Sequence, residues 1–154
     1  MAGNENIEKI YYHSRFRHGV DDKRRVQIPA KWRPLQPEAE LVLIPWRNGN
    51  QMNSHLLVLP PRVMNALAEK IEGMSGSDPN AAALRRLIGG NSASVTLDKA
   101  GRICIPGEVA DAVSIKDEAL LVGLVDRFEI WNPERYEAAN AVDMALLPEA
   151  LKLI

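Results

Sequence analysis

Short apolar runs of strand length alternate along the chain with longer stretches of helical period. Residues 41–44 (Leu-Val-Leu-Ile) and 119–122 (Ala-Leu-Leu-Val) are continuous apolar runs, the pattern of strands buried on both faces. Residues 95–97 and 103–105 are short β-prone runs either side of Asp98-Lys-Ala-Gly101. Residues 56–59 and 128–131 are further strand-like runs, each leading to a proline suited to the first turn of a helix. A helix is expected over 61–72, with Val63, Met64, Leu67 and Ile71 on one face and Gly73 as its stop. A second is expected over 79–88, with Asp78 as N-cap and Gly89 past its end. Asn132-Pro133 caps a third, which Pro148 should limit. Pro29 and Pro106 end strands and start short helical turns over 30–33 and 107–113.

The pattern also contains itself twice. Val20-Asp-Asp-Lys-Arg-Arg25-Val-Gln-Ile-Pro29 aligns without gaps on Leu97-Asp-Lys-Ala-Gly-Arg102-Ile-Cys-Ile-Pro106, at an offset of 77 residues. Both copies read apolar-Asp-x-x-x-Arg-apolar-x-Ile-Pro. An aspartate opening such a turn bonds its own downstream amides, and Gly101 takes positive φ without steric cost. Arg24 stands where the second copy has that glycine, so a tighter or slightly different turn is expected there. Two halves of this size have little core each and bury their apolar strands best against one another, as one pseudo-two-fold domain. The expected division is an N-terminal extension over 1–11, a first repeat over 12–73, a connecting helix over 74–91, a second repeat over 92–140 and a tail over 141–154.

Composition narrows the class without naming a partner. Of 154 residues, 46% are hydrophobic and 25% charged, enough apolar material for a real core. A single cysteine rules out an intrachain disulfide and a cysteine-based zinc site. The first eight residues lack a signal-peptide pattern, and the longest apolar run, 119–125, is too short to span a bilayer. A soluble, cytoplasmic protein is expected. The net charge of −1 conceals a partition: 15–33 hold seven bases against two acids, whereas 118–154 hold seven acids against three bases. One face should therefore attract polyanions and another not.

The duplicated turn resembles the AbrB-like swapped-hairpin superfamily of DNA-binding proteins, and its tandem arrangement resembles the MraZ family within it. The motif extended to Ala30-Lys-Trp-Arg33, then Arg85-Arg-Leu-Ile-Gly-Gly90 and Leu120-Leu-Val-Gly-Leu-Val-Asp-Arg-Phe-Glu-Ile-Trp131, carry the likeness over roughly 12–136. The resemblance implies a β-rich α+β barrel of two interlocked hairpins and assembly into a ring. It implies a nucleoid-associated transcriptional regulator binding short direct repeats in promoter DNA of the division and cell-wall gene cluster. The family's DNA-contacting turn carries over to Asp21 and Arg25, and to Asp98 and Arg102. Arg24 in place of glycine, and Ala110 where the first copy has Arg33, depart from the pattern.

Elementary chemistry assigns the roles. An arginine fork can bond guanine O6 and N7 together or clamp a phosphate. Arg25 and Arg102 are the candidates nearest the groove, Lys23, Arg24 and Lys99 the phosphate contacts, and Arg17, Lys31 and Arg33 the outer ones. Asp21, Asp98 and Gly101 shape the turns, since a carboxylate facing phosphate would repel it. An ion pair that merely closes each turn explains Asp21 and Arg25 equally, and both roles can coexist. Trp32, Trp46 and Trp131 read as packing residues, Cys104 as a small strand residue, and Arg85-Arg86 as a solvated face or ring contact. The near-neutral second copy, with three bases and four acids over 98–117, suits a more structural part. No nucleophile elbow, phosphate loop, dinucleotide fingerprint or histidine pair with metal spacing occurs, so no catalytic residue, cofactor or metal site is assigned. The same scaffold serves antitoxin-like modules that bind a protein through a tail, and the apolar residues 144–154 are the feature that would do so.

Overall fold

A computed structural model of the chain describes residues 9–154, so the expected N-terminal extension lies outside the described residues up to residue 8. Eight strands and four α-helices follow one another: β1 (Arg15–Gly19), β2 (Arg25–Gln27), β3 (Leu41–Asn48), β4 (Gln51–Leu59), α1 (Pro61–Glu72), α2 (Pro79–Asn91), β5 (Ala93–Val95), β6 (Arg102–Cys104), α3 (Gly107–Ala112), β7 (Glu118–Gly123), β8 (Phe128–Trp131) and α4 (Pro133–Ala150). Short 3₁₀ turns occupy Ala30–Trp32 and Leu151–Leu153. This is the mixed α+β class expected.

Six strands form one antiparallel sheet in the order β1-β7-β8-β4-β3-β5. The remaining two, β2 and β6, pair only with each other, Val26 opposite Ile103. The barrel expected from the resemblance is not closed: β1 and β5 are sheet edges. The β2–β6 ribbon covers the sheet with side chains rather than joining its ladder. Nor do the short runs flanking Asp98 pair with one another, because β5 takes β3 as its partner.

Alternation along the strands explains the layers. On one face, Leu41, Leu43, Leu56, Val58, Ala119, Leu121, Phe128 and Ile130 meet Val26, Ile28, Ile103 and Ile105 from the ribbon and its exits. Trp32 fills the centre against Tyr12, Phe16 and Phe128, with ring centroids 4.9–5.6 Å apart. On the other face, Ile44, Leu57 and Leu59 pack on Val63 of α1 and Ile88 of α2, while Val122 and Trp131 pack on Ala139 of α4. Trp131 also stacks on buried His55, whose Nε2 lies 2.8 Å from Glu129 Oε2. Trp32 and Trp131 are thus packing residues.

The helices begin where expected and two end later. Asp78 Oδ1 caps α2 by accepting from Asn80 N–H at 2.8 Å, and Asn132 Oδ1 caps α4 by accepting from Glu134 and Arg135. Gly89 does not stop α2, which runs to Asn91, so both glycines lie in its last turn. Neither has positive φ. Pro148 does not interrupt α4: the proline removes one donor near the exposed end, where water can take the bereft carbonyl. No helix among the described residues is long and apolar enough to cross a membrane.

Candidate nucleic-acid interface

The two Asp-x-x-x-Arg turns sit at opposite ends of the β2–β6 ribbon and are built alike. In the first, Asp21 Oδ1 accepts from the backbone N–H of Lys23 at 3.0 Å and of Arg25 at 2.8 Å, and Oδ2 accepts from Arg25 Nε at 2.6 Å. In the second, Asp98 Oδ1 accepts from the N–H groups of Ala100 and Arg102, both at 2.9 Å, and Oδ2 from Arg102 Nε at 2.9 Å. One carboxylate oxygen therefore ties the turn and the other orients the arginine. The Arg25 backbone N–H above all, helped by its guanidinium and the Lys23 N–H, holds the Asp21 carboxyl below the usual range against some desolvation. The Arg102 N–H does the same for Asp98. The bond to Asp21 in turn raises Arg25.

The fourth residue of each turn is left-handed: φ is +59° at Arg24 and +80° at Gly101. The turn containing Arg24 is thus no different in kind from the glycine turn, and the expected distortion is absent. Arg24 N–H donates to Asp21 O at 2.9 Å and Gly101 N–H to Asp98 O at 3.0 Å. An arginine there carries a steric cost that glycine avoids.

Bonds between the turns recur at the same 77-residue offset. Ile28 N–H donates to Gly101 O and Ile105 N–H to Arg24 O, both at 2.9 Å. Gln27 Nε2 donates to Ala100 O at 2.8 Å, and Cys104 Sγ to Lys23 O at 3.2 Å. Each turn is held by the strand that follows the other.

Register then decides what faces outward. Arg25 pairs with Cys104 and Gln27 with Arg102, so these four share one face of the ribbon, while Val26 and Ile103 are buried on the opposite one. Gln27 and Cys104 belong to this outer face although the motif did not single them out; the period-two alternation Arg-Val-Gln-Ile and Arg-Ile-Cys-Ile was the signal. Arg25 and Arg102 therefore stand diagonally across the ladder, two register positions apart. Both side chains are 32% exposed, and among the described residues neither spends its terminal nitrogens on a hydrogen bond. Lys23, Arg24, Lys99 and Lys31 are exposed. Neither tip is shut away.

The outer candidates lie differently. Arg17 belongs to edge strand β1 and is bound to Glu118 at 2.6 Å, which raises its affinity for the proton and offsets its charge locally. Arg33 donates through Nε to Ile28 O at 2.8 Å. No group of three His, Cys, Asp or Glu side chains converges on a metal position among the described residues.

Known proteins share much of this sequence. The chain is 36% identical over 80% of its length to the transcriptional regulator MraZ of Thermomicrobium roseum, covering 83% of that protein. The chain belongs to the MraZ family. It is likewise 34% identical to the transcriptional regulator MraZ of Herpetosiphon aurantiacus, over 79% of the chain and 81% of that protein. With MraZ of Coxiella burnetii it shares 30% over 79% of each. The family model described as "MraZ protein, putative antitoxin-like" matches residues 88–146, which hold the second turn and most of α4. MraZ relatives align over about four-fifths of this chain, so the likeness reaches well beyond that stretch into the first half.

Proposed function

We propose that this chain is a cytoplasmic, nucleoid-associated transcriptional regulator that binds double-stranded DNA through the outward face of the β2–β6 ribbon. The single observation that carries the reading is the register that puts Arg25 and Arg102 diagonally on that one face, held by Asp21 and Asp98 with their terminal nitrogens free. A two-stranded ribbon fits the major groove, and each bidentate arginine contact with guanine is worth about 1–3 kcal/mol of discrimination. Lys23, Arg24 and Lys99 then meet phosphates, with Lys31 further out. The paired Arg17 contributes less. The targets are the short direct repeats in the division and cell-wall promoter that the family resemblance implies.

In this reading the stretches 12–73 and 92–140 are two swapped-hairpin copies, joined by 74–91 and followed by a tail over 141–154. The reciprocal bonds at constant offset support it. A single copy of so small a face binds weakly, in the range of about 10⁻⁴–10⁻⁶ M for non-specific contacts. A ring of chains would present several faces to repeated sites and raise avidity by roughly 10²–10⁴.

The test is a mobility-shift titration on the DNA upstream of the protein's own reading frame at two salt concentrations. Specific binding that falls steeply with salt is expected, and Arg25→Ala should abolish it while leaving the melting temperature nearly unchanged. A folded Arg25→Ala variant that still binds with full affinity refutes the assignment.

A second reading has its own observation. Val142, Met144, Leu146, Leu147, Leu151, Leu153 and Ile154 are all exposed on α4 and beyond it. Such a surface suits an antitoxin-like module that grips a protein partner. Removing it separates the readings, because an interaction module loses its partner whereas a regulator keeps its DNA.

A further inference from the structure

The two turns differ in the number of cations they carry, three against two, although Asp22 leaves both with a net charge of +1. The first holds Lys23, Arg24 and Arg25, and the second only Lys99 and Arg102. Gly101 leaves a bare patch of backbone at the second turn, and the Arg33 guanidinium lies on it: a Cβ built on Gly101 collides with that guanidinium. Gly101 is buried beneath this cover. Arg33 is anchored by its Nε bond to Ile28 O at 2.8 Å, and its terminal nitrogens make no hydrogen bond among the described residues.

The matching junction at the other end of the ribbon is filled from the opposite side. There the fourth turn residue, Arg24, supplies the guanidinium, which lies 3.2 Å from where a Cβ on Gly107 would stand. Ala110, at the offset equivalent of Arg33, is buried and has no side chain to send. Each turn thus has one arginine seated where it meets the other half of the chain. At the first turn that arginine is its own; at the second it is lent by the first repeat.

We propose that Arg33 is a phosphate-contacting residue of the second turn, joining Lys99 and Arg102 to give it three cations, as many as the first. This rests on the DNA-binding reading above and adds a residue to it from outside the second motif. Seating through Nε leaves the outer edge of the fork available for two phosphate oxygens. The second copy is then a full DNA-binding head, rather than the structural partner its near-neutral local sequence suggests.

The experiment uses the full chain and its upstream duplex, with affinity measured across a salt series for wild type, Arg33→Gln, Arg33→Lys and Arg25→Ala. Arg33→Gln should flatten the slope of log K against log salt by about 0.9 for each second turn engaged. Arg33→Lys should keep the wild-type slope. A folded Arg33→Gln variant with the wild-type slope overturns the inference, and so does equal flattening by lysine and glutamine. Labelling of the wild-type chain with an arginine-selective dicarbonyl, read by mass spectrometry, needs no variant. Duplex should protect Arg25, Arg102 and Arg33 together. Protection of Arg25 and Arg102 without Arg33 sinks this inference alone; protection of none sinks the DNA-binding reading with it.

Discussion

Replacing Arg24 with glycine should make the protein more stable and a weaker DNA binder. Arg24 holds φ at +59°, where its Cβ crowds the following carbonyl. For an L-residue this conformation costs roughly 1–2 kcal/mol. Glycine removes that cost but loses about 0.5–1 kcal/mol more backbone entropy on folding. The balance favours Arg24→Gly by about 0.5–1 kcal/mol. For a chain of this size that corresponds to a rise in melting temperature of about 1–4 °C. Arg24→Ala is the control, because it removes the guanidinium from Gly107 but keeps the Cβ in the strained region. Urea titrations of the three proteins, with equal slopes, would separate the backbone from the side chain. Glycine should exceed alanine by about 1 kcal/mol. An alanine variant as stable as the glycine variant would refute the assignment of strain to Arg24. Both should bind duplex DNA with a shallower salt dependence than wild type, since one cation per first turn is gone.

Other consequences can be measured on the same scale. Gly101→Ala meets both positive φ and the Arg33 guanidinium, so it should cost more than about 1 kcal/mol, and less in an Arg33→Ala background if the collision matters. The carboxyls of Asp21 and Asp98 have lowered folded-state values, so their stabilisation is complete above the unfolded value of about 4 and is lost as pH falls through the lower folded one. Melting temperature should therefore drop on acidification below about pH 4, and Asp21→Asn with Asp98→Asn should flatten that drop; Glu118 and Asp126, shifted the same way, supply the remainder. Deleting 142–154, all of it exposed, should leave the melting temperature of the remaining fold within a few degrees and preserve duplex binding. A change in mass by light scattering would mark that segment as the contact between copies.

Local chemistry was readable residue by residue. The aspartate that ties each turn, the caps at Asp78 and Asn132 and the amphipathic face of α1 depend on neighbours only a few positions away. A one-dimensional pattern therefore contains them. The same holds for the alternation that sends Arg25 and Arg102 one way and Val26 and Ile103 the other. Where local rules competed, packing decided. Gly89 reads as a stop, yet the contact of Ile88 with α1 and the sheet carries the helix past it. Pro148 reads as a break, yet it costs one bond to an exposed carbonyl.

Pairing between distant segments belonged to the tertiary structure. Nothing within residues 93–104 says that β5 joins β3 while β6 leaves the sheet for β2, because each short strand is equally able to pair with either. Burial chose: the arrangement that puts Val26, Ile28, Ile103 and Ile105 on one core also places each turn against the strand after the other. The reach of Arg33 to Gly101 across 68 positions follows from that choice. The sequence alone determined two arginine-bearing turns and their outward face, because hydrogen bonds over four residues and a period of two suffice for both. Only the folded chain decided how those turns meet and that Arg33 is seated on Gly101, because such contacts form between segments that no local rule connects.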